Sequence, residues 1–254
     1  MDRYVDDVAY TFSVPRSALN VIAVAKGLVL GALQLCRRDG SLIDAAADKD
    51  GTLVPNIQDI LSVDMSSVRW ILVVEKEATF RSIATSSFCD TLLSCGVMLT
   101  GKGYPDIATR ALLRFISSPS PLNGFASPPV YGLVDFDPDG LAILSVYKHG
   151  SLALAHEAPD LCVPRIQWLG LRAEHISMPS NDLHAEQGLL TLTSRDRHKA
   201  TKMSERLNGY EANVEDAEFR VALQMMLMLN IKAELQLLDA RNEGMVELLR
   251  SGMK

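Results

Sequence analysis

Three apolar runs of strand length, each ending in polar residues and followed by a helical pattern, constrain this chain more than any other feature. Residues 69–74 (Arg-Trp-Ile-Leu-Val-Val) run into Glu75, and residues 97–100 run into Gly101-Lys102-Gly103-Tyr104-Pro105-Asp106. Residues 130–134 run into Asp135-Phe136-Asp137-Pro138-Asp139-Gly140. Such runs lack the alternation of a half-exposed strand, so they read as strands covered on both faces. Helices are expected between and after them, at 78–88, at 107–116 and from the Pro138 turn to about His149. This alternation predicts an α/β fold with a mostly parallel, Rossmann-like sheet and helices on its faces.

The flanks read differently. Residues 5–11 are expected as a short helix, with Ser13 as N-cap and Pro15 in the first turn of a second helix carrying Leu19 and Ile22. Two short helices and a tight turn suggest a helix-turn-helix. The glycine-punctuated segment 25–33 reads as a hairpin, a wing, and 44–51 as an acidic loop or linker. Residues 1–50 are therefore set apart from residues 65–254. Residues 117–129, rich in proline and serine, are a loop. The last third is expected to be mainly helical, with Ser194 capping a basic helix (Arg195, Arg197, Lys199, Lys202) and Asn213 capping a helix over 214–229. The methionine-rich run 225–229 reads as core or subunit interface.

Composition excludes some classes. No apolar stretch of the 254 residues is long enough to span a bilayer, and the N-terminus lacks the apolar segment of a signal peptide. Four scattered cysteines without a C-x-x-C pair read as free thiols in a reducing compartment, not a zinc site. None of the five histidines sits in a hydrolase motif, and Gly101-Lys102-Gly103 lacks phosphate-loop spacing. A net charge of −6 argues against nucleic-acid binding when taken as a sum. The distribution matters more, because acidic residues gathered in a metal site need not face the ligand.

Functional residues of parallel sheets gather at the carboxyl ends of strands. Here those ends offer Glu75, Asp135 and Asp137. Three hard oxygen donors suit Mg²⁺, which also takes phosphate oxygens as ligands and can orient attacking and leaving groups. By themselves the same residues also read blandly: Asp-x-Asp-Pro-Asp-Gly is an ordinary surface turn, and Glu75 can cap the next helix. The order strand–Glu–helix, strand, strand–Asp-x-Asp–helix resembles a Toprim domain.

Four blocks narrow the resemblance. Val73-Val74-Glu75-Lys76-Glu77-Ala78-Thr79-Phe80, then Gly101 to Asp106 with Thr109-Arg110, then Val134 to Gly140, then Trp168-Leu169-Gly170-Leu171, follow one another in this order. They are similar to blocks of the type IIB topoisomerase VI A subunits and of their eukaryotic relatives, the meiotic proteins that make programmed DNA double-strand breaks. The segments Asp6-Asp7-Val8-Ala9 through Lys26-Gly27-Leu28-Val29 resemble the end of that family's winged-helix domain. The resemblance implies a partial winged helix over 1–50, and a Toprim domain with a helical C-terminal extension over 65–254. It implies Mg²⁺ held by Glu75, Asp135 and Asp137, with Asp139 at most an outer contact. Lys102, Tyr104 and Arg110 are implied as DNA contacts. Other readings stay open: Tyr104 as a loop aromatic over Pro105, Arg110 as an ion-pair partner on its helix, and the basic stripe at 195–202 as a solvated face.

The resemblance also implies a reaction. A tyrosine hydroxyl attacks a DNA phosphodiester, leaving a covalent protein–DNA link and a free 3′ hydroxyl, and two subunits cut the two strands. That tyrosine is expected upstream of Met1. Tyr4 and Tyr10 do not match its motif and are expected as packing residues. The expected partners are double-stranded DNA, a second copy of the chain, other meiotic break proteins and a topoisomerase VI B-like subunit that binds ATP, in the nucleus and without a membrane. Three alternatives remain: a Toprim nuclease or primase, a non-catalytic DNA-binding and dimerisation module, and an archaeal or plant topoisomerase VI A subunit.

Overall fold

The computed structural model describes residues 2–12, 14, 16–21, 25–150, 161–176, 188–207, 214–238 and 244–253. The chain divides into two compact units, Met1–Gly132 with Ser145–Gln167, and Leu133–Leu144 with Trp168–Lys254. The fold is α/β with a mostly parallel main sheet. No helix among the described residues is long and apolar enough to cross a membrane.

The first unit opens with helix α1 (Asp2–Phe12) and a 3-10 turn at Arg16–Leu19. Ser13, Pro15 and Ile22, singled out as cap, first turn and helix face, lie outside the described residues. Strands β1 (Leu28–Gly31), β2 (Gln34–Arg37), β3 (Leu42–Asp44), β4 (Thr52–Leu53) and β5 (Ile60–Asp64) follow. The segment 25–33, expected as a hairpin wing, is not a hairpin. Strand β1 pairs antiparallel with β4 and with β7 (Gly96–Thr100), whereas β2 pairs with β3 and β5 in a separate three-stranded sheet.

The centre of the unit is β6 (Trp70–Val74) paired in parallel with β7, register Trp70↔Gly96 to Val74↔Thr100. Every residue of both strands is buried, as their unbroken apolar sequences require. Ile71, Leu72, Val97, Met98 and Leu99 have no exposed surface, and each such side chain contributes about 1.5–3 kcal/mol of hydrophobic free energy. The helix expected at 78–88 is two helices, α2 (Glu77–Thr85) and α3 (Cys89–Cys95). Ser86 makes the break. Its hydroxyl donates to the Ile83 carbonyl at 2.7 Å and accepts the Phe88 N–H at 3.2 Å, taking over backbone partners that a continuing helix would use. Helix α4 (Ile107–Ser117) and strand β8 (Val130–Leu133) complete the order β4-β1-β7-β6-β8.

The division between the units falls inside β8. In the second unit the Val134 N–H donates to the Gly170 carbonyl at 2.7 Å, joining the end of β8 to β9 (Gln167–Gly170). Helix α5 (Pro138–His149) starts here, with proline in its first turn. The C-terminal third is helical as expected, over Ser194–Arg206, Val214–Leu229 and Gly244–Gly252. It also holds a two-stranded antiparallel sheet the sequence did not suggest, β10 (Leu189–Thr191) with β11 (Ile231–Ala233). Thr193, not Ser194, caps the basic helix. It forms a capping box in which its hydroxyl accepts the Asp196 N–H and the Asp196 carboxylate accepts the Thr193 N–H. Asn213 lies outside the described residues. In the 225–229 run Met226 is core, while Met228 is 83% exposed.

Candidate metal centre and its supporting loops

In the second unit, the chain leaves β8 through Asp135-Phe136-Asp137 and enters α5. Asp135 is 2% exposed, and its Oδ1 accepts the N–H of Leu235 at 2.9 Å. Phe136 forms an antiparallel bridge with Ala233, with N–H···O distances of 2.8 and 3.0 Å. Strand β11 thus runs directly beside the Asp-x-Asp turn. The Oδ1 of Asp137 accepts the Gly140 N–H at 2.6 Å, capping the start of α5. Asp139 is paired with Lys199, and Lys232 of β11 donates to Asp196 Oδ2 at 2.8 Å.

Electrostatics in this cluster favour a cation. Burial raises the Asp137 carboxyl above the ordinary carboxylate range. Asp135 and Asp139 push it the same way, and the Gly140 N–H and Lys232 oppose them. A divalent ion held by Asp135 and Asp137 would relieve this crowding with the hard oxygen ligands that Mg²⁺ prefers. Among the described residues, no group of three or more His, Cys, Asp and Glu side chains is arranged to hold a metal ion. A Mg²⁺ ion held by this turn would take the rest of its shell from water and phosphate oxygens.

In the first unit, Glu75 follows β6 and is 7% exposed. Its backbone carbonyl accepts the Gly103 N–H at 2.8 Å and the Thr100 hydroxyl at 3.3 Å. The same hydroxyl accepts the Lys102 N–H at 3.1 Å, so the turn after β7 is stitched to the end of β6. Lys102 takes the left-handed conformation, φ 54°, a region non-glycine residues rarely occupy. Its Nζ pairs with Glu77 Oε2 at 3.1 Å. Hydrogen bonding from Arg81, then from Lys102, holds the Glu77 carboxyl below its ordinary range. Asp106 caps α4 through the Thr109 N–H at 2.8 Å and also accepts the Lys26 N–H at 3.0 Å. That second bond fastens the segment leading into β1 to the start of α4. Gly101 is needed where it stands: a Cβ there would lie 2.8 Å from both Pro105 Cα and the Tyr147 hydroxyl.

The residues named from sequence thus fall into two groups. Glu75, Lys102 and Tyr104 belong to the first unit, with Tyr104 46% exposed on its loop. Asp135 and Asp137 belong to the second, beside Asp139, Lys199 and Lys232. Arg110 does not face solvent. It is 2% exposed and its Nη2 lies 3.9 Å from Cys162 Sγ, which favours the structural reading over a DNA contact. Tyr4 and Tyr10, expected as packing residues, are 76% and 63% exposed on α1. Of the basic stripe, Lys199 is engaged with Asp139 and Arg197 with Asn230. The sequence reading missed residues 232–235, because a three-residue strand between helices carries no periodic signal.

Comparison with known proteins supplies the family. Residues 70–247 match the family model for the Toprim domain of Spo11 and the topoisomerase 6 A subunit. The chain is 32% identical over 242 residues to the meiotic recombination protein SPO11 of Mus musculus, covering 94% of this chain and 57% of that protein. It is 36% identical over 247 residues to the meiotic recombination protein SPO11-1 of Oryza sativa subsp. indica, covering 94% and 59%. It is 34% identical over 241 residues to the A3 subunit of DNA topoisomerase 6 from the same plant, covering 94% and 51%. The chain therefore spans little more than half the length of these relatives. With its Asp-x-Asp turn and Glu75 each following a strand of the α/β sheet, and with the family model spanning residues 70–247, the chain belongs to the Toprim family of Spo11 and the topoisomerase 6 A subunits.

Proposed function

We propose that this chain binds double-stranded DNA and supplies the Mg²⁺ site of a type IIB topoisomerase-like transesterase that forms meiotic double-strand breaks on chromosomes in the nucleus. The observation that carries this reading is the Asp135–Asp137 turn, a buried carboxylate followed two residues on by a half-buried one of like charge, in a chain of this family. Glu75, Asp135 and Asp137 are assigned as the protein ligands. When bound, Mg²⁺ would neutralise charge on the reacting phosphate. The chain's own residues do the rest. Leu235 N–H fixes the Asp135 carboxylate, Gly140 N–H fixes that of Asp137, and the Thr100–Gly103 turn fixes the backbone at Glu75. Lys102 and the exposed Tyr104 are assigned to the DNA backbone and sugar edges. Neither Tyr4 nor Tyr10 is assigned as the nucleophile. A covalent protein–DNA adduct mapped to either would overturn that assignment.

The residues before β1 are assigned to the end of a winged-helix domain, because β1 itself pairs with β7 in the main sheet, and two copies of the chain are expected to pair through the Toprim domain. Light scattering that finds only monomer at high concentration would count against pairing. The proposed partners beyond DNA are other break-forming proteins and a topoisomerase VI B-like subunit. The similarity to a protein named as a DNA topoisomerase 6 subunit supports a second reading, a topoisomerase VI A subunit of an archaeal or plant type. The central test is Mg²⁺-dependent DNA binding by the chain and by Asp137→Ala. The variant should lose the Mg²⁺-dependent part of its affinity. Equal binding by wild type with and without Mg²⁺ would refute the metal assignment.

A further inference from the structure

Lys232 stands in a position that the metal reading does not explain. It lies on β11, next to Ala233, whose backbone bridges Phe136 between the two aspartates. Its ammonium donates to Asp196 Oδ2 at 2.8 Å, with side chains only 19% and 8% exposed. Asp196 is itself held by the capping box at Thr193, whose N–H it accepts at 2.9 Å. The antiparallel bridge between Phe136 and Ala233 places residue 232 opposite residue 137. The bond to Asp196 and the charges of Asp137 and Asp139 raise the Lys232 ammonium, while at Asp137 the Lys232 charge opposes the effect of burial. A half-buried cation is thus anchored beside the carboxylates by a carboxylate that is not among the assigned ligands.

We propose that Lys232 is a positioning residue that acts as the resident counter-cation of the Asp135–Asp137 turn and sets its affinity for divalent metal. This rests on the assignment of Asp135 and Asp137 as ligands. The Lys232–Asp196 pair has two effects of opposite sign. Lys232 offsets part of the aspartates' repulsion, so the turn is tolerable without metal, and the same charge opposes an arriving dication. Asp196 holds the ammonium to one side. Without it, Lys232 is released toward Asp137 and competes with metal more strongly.

The opposite signs make the test specific. The probe is Mn²⁺ in place of Mg²⁺, with the unbound ion followed by its electron paramagnetic resonance signal during titration of the full chain at neutral pH. Lys232→Gln should bind Mn²⁺ on the order of tenfold more tightly, the effect expected from removing one elementary charge near a dication at a surface-like dielectric response. Asp196→Asn should bind several-fold more weakly, by the same Coulombic argument. A misfolded variant can lose affinity but cannot gain it, so the Lys232→Gln result stands without a folding control. Unchanged or weakened binding by Lys232→Gln overturns the proposal, whatever Asp196→Asn does. Asp137→Asn separates the two failures. If it binds Mn²⁺ as wild type does, the metal assignment itself is wrong; if it loses binding while Lys232→Gln fails to gain, only the role of Lys232 is wrong. No Mn²⁺ binding by either wild type or Lys232→Gln at millimolar metal would overturn both.

Discussion

Replacing Asp135 separates its hydrogen bond to Leu235 from its proposed role as a metal ligand. Its Oδ1 accepts the Leu235 N–H at 2.9 Å from a residue with no exposed surface, and Asp135 itself is 2% exposed. Alanine would leave that amide buried without its acceptor, at a cost of about 1–3 kcal/mol. For a chain of this size each kcal/mol lowers the melting temperature by about 2–4 °C, so Asp135→Ala should melt roughly 2–12 °C below wild type. Asparagine keeps a carbonyl oxygen where Oδ1 stands and loses mainly the charge assistance, so Asp135→Asn should lose less than about 1 kcal/mol. Both variants should lose divalent metal. Thermal melts of the metal-free proteins, with hydrogen exchange at the Leu235 amide, check this. The amide should stay protected in the asparagine variant and exchange faster in the alanine variant. An alanine variant that melts with wild type and still protects Leu235 would refute the claim that this bond orients the carboxylate.

Further outcomes follow from the same geometry. Lys102→Ala should weaken DNA binding evenly across sequences and lower the slope of log affinity against log salt by about one; an unchanged slope in a salt titration would remove Lys102 from the phosphate contacts. Gly101→Ala should cost about 1–3 kcal/mol in denaturant titration, because the added methyl meets the Pro105 backbone and the Tyr147 hydroxyl at 2.8 Å; a neutral result would mean this turn gives way freely. Burial alone would raise the Asp196 carboxyl, but hydrogen bonds from Lys232 and from Thr193 hold it below the ordinary range. With the folded value below the unfolded one, the stabilisation is present above the unfolded value and is lost as pH falls through the folded one. The stability difference between wild type and Asp196→Asn should therefore be flat from about pH 8 to 5 and shrink below about pH 4; a difference that stays constant in acid would refute the pairing.

Much of this site was legible in the chain because its signals are local. Residues 70–74 and 97–100 are buried on both faces, and strands so covered need no alternation to be recognised. Glu75, Asp135 and Asp137 declare themselves by standing just past strands, and Pro138 and Gly140 mark the turn between. What depends on distant partners was not legible. The segment 25–33 has the glycines of a hairpin, yet β1 finds its partner in β7, and residue 28 lies opposite residue 100. Arg110, implied as a DNA contact or an ion-pair partner on its helix, lies buried beside Cys162.

The sequence by itself determined the order of strands and helices and the carboxylates at the strand ends, because periodicity and turn chemistry act over a few residues. Only the tertiary structure decided what holds those carboxylates. Leu235 reaches Asp135 across 100 positions of the chain, and β11 lies against Phe136. Such pairing is selected by the burial and hydrogen bonds it satisfies in the folded chain, and no local pattern encodes it.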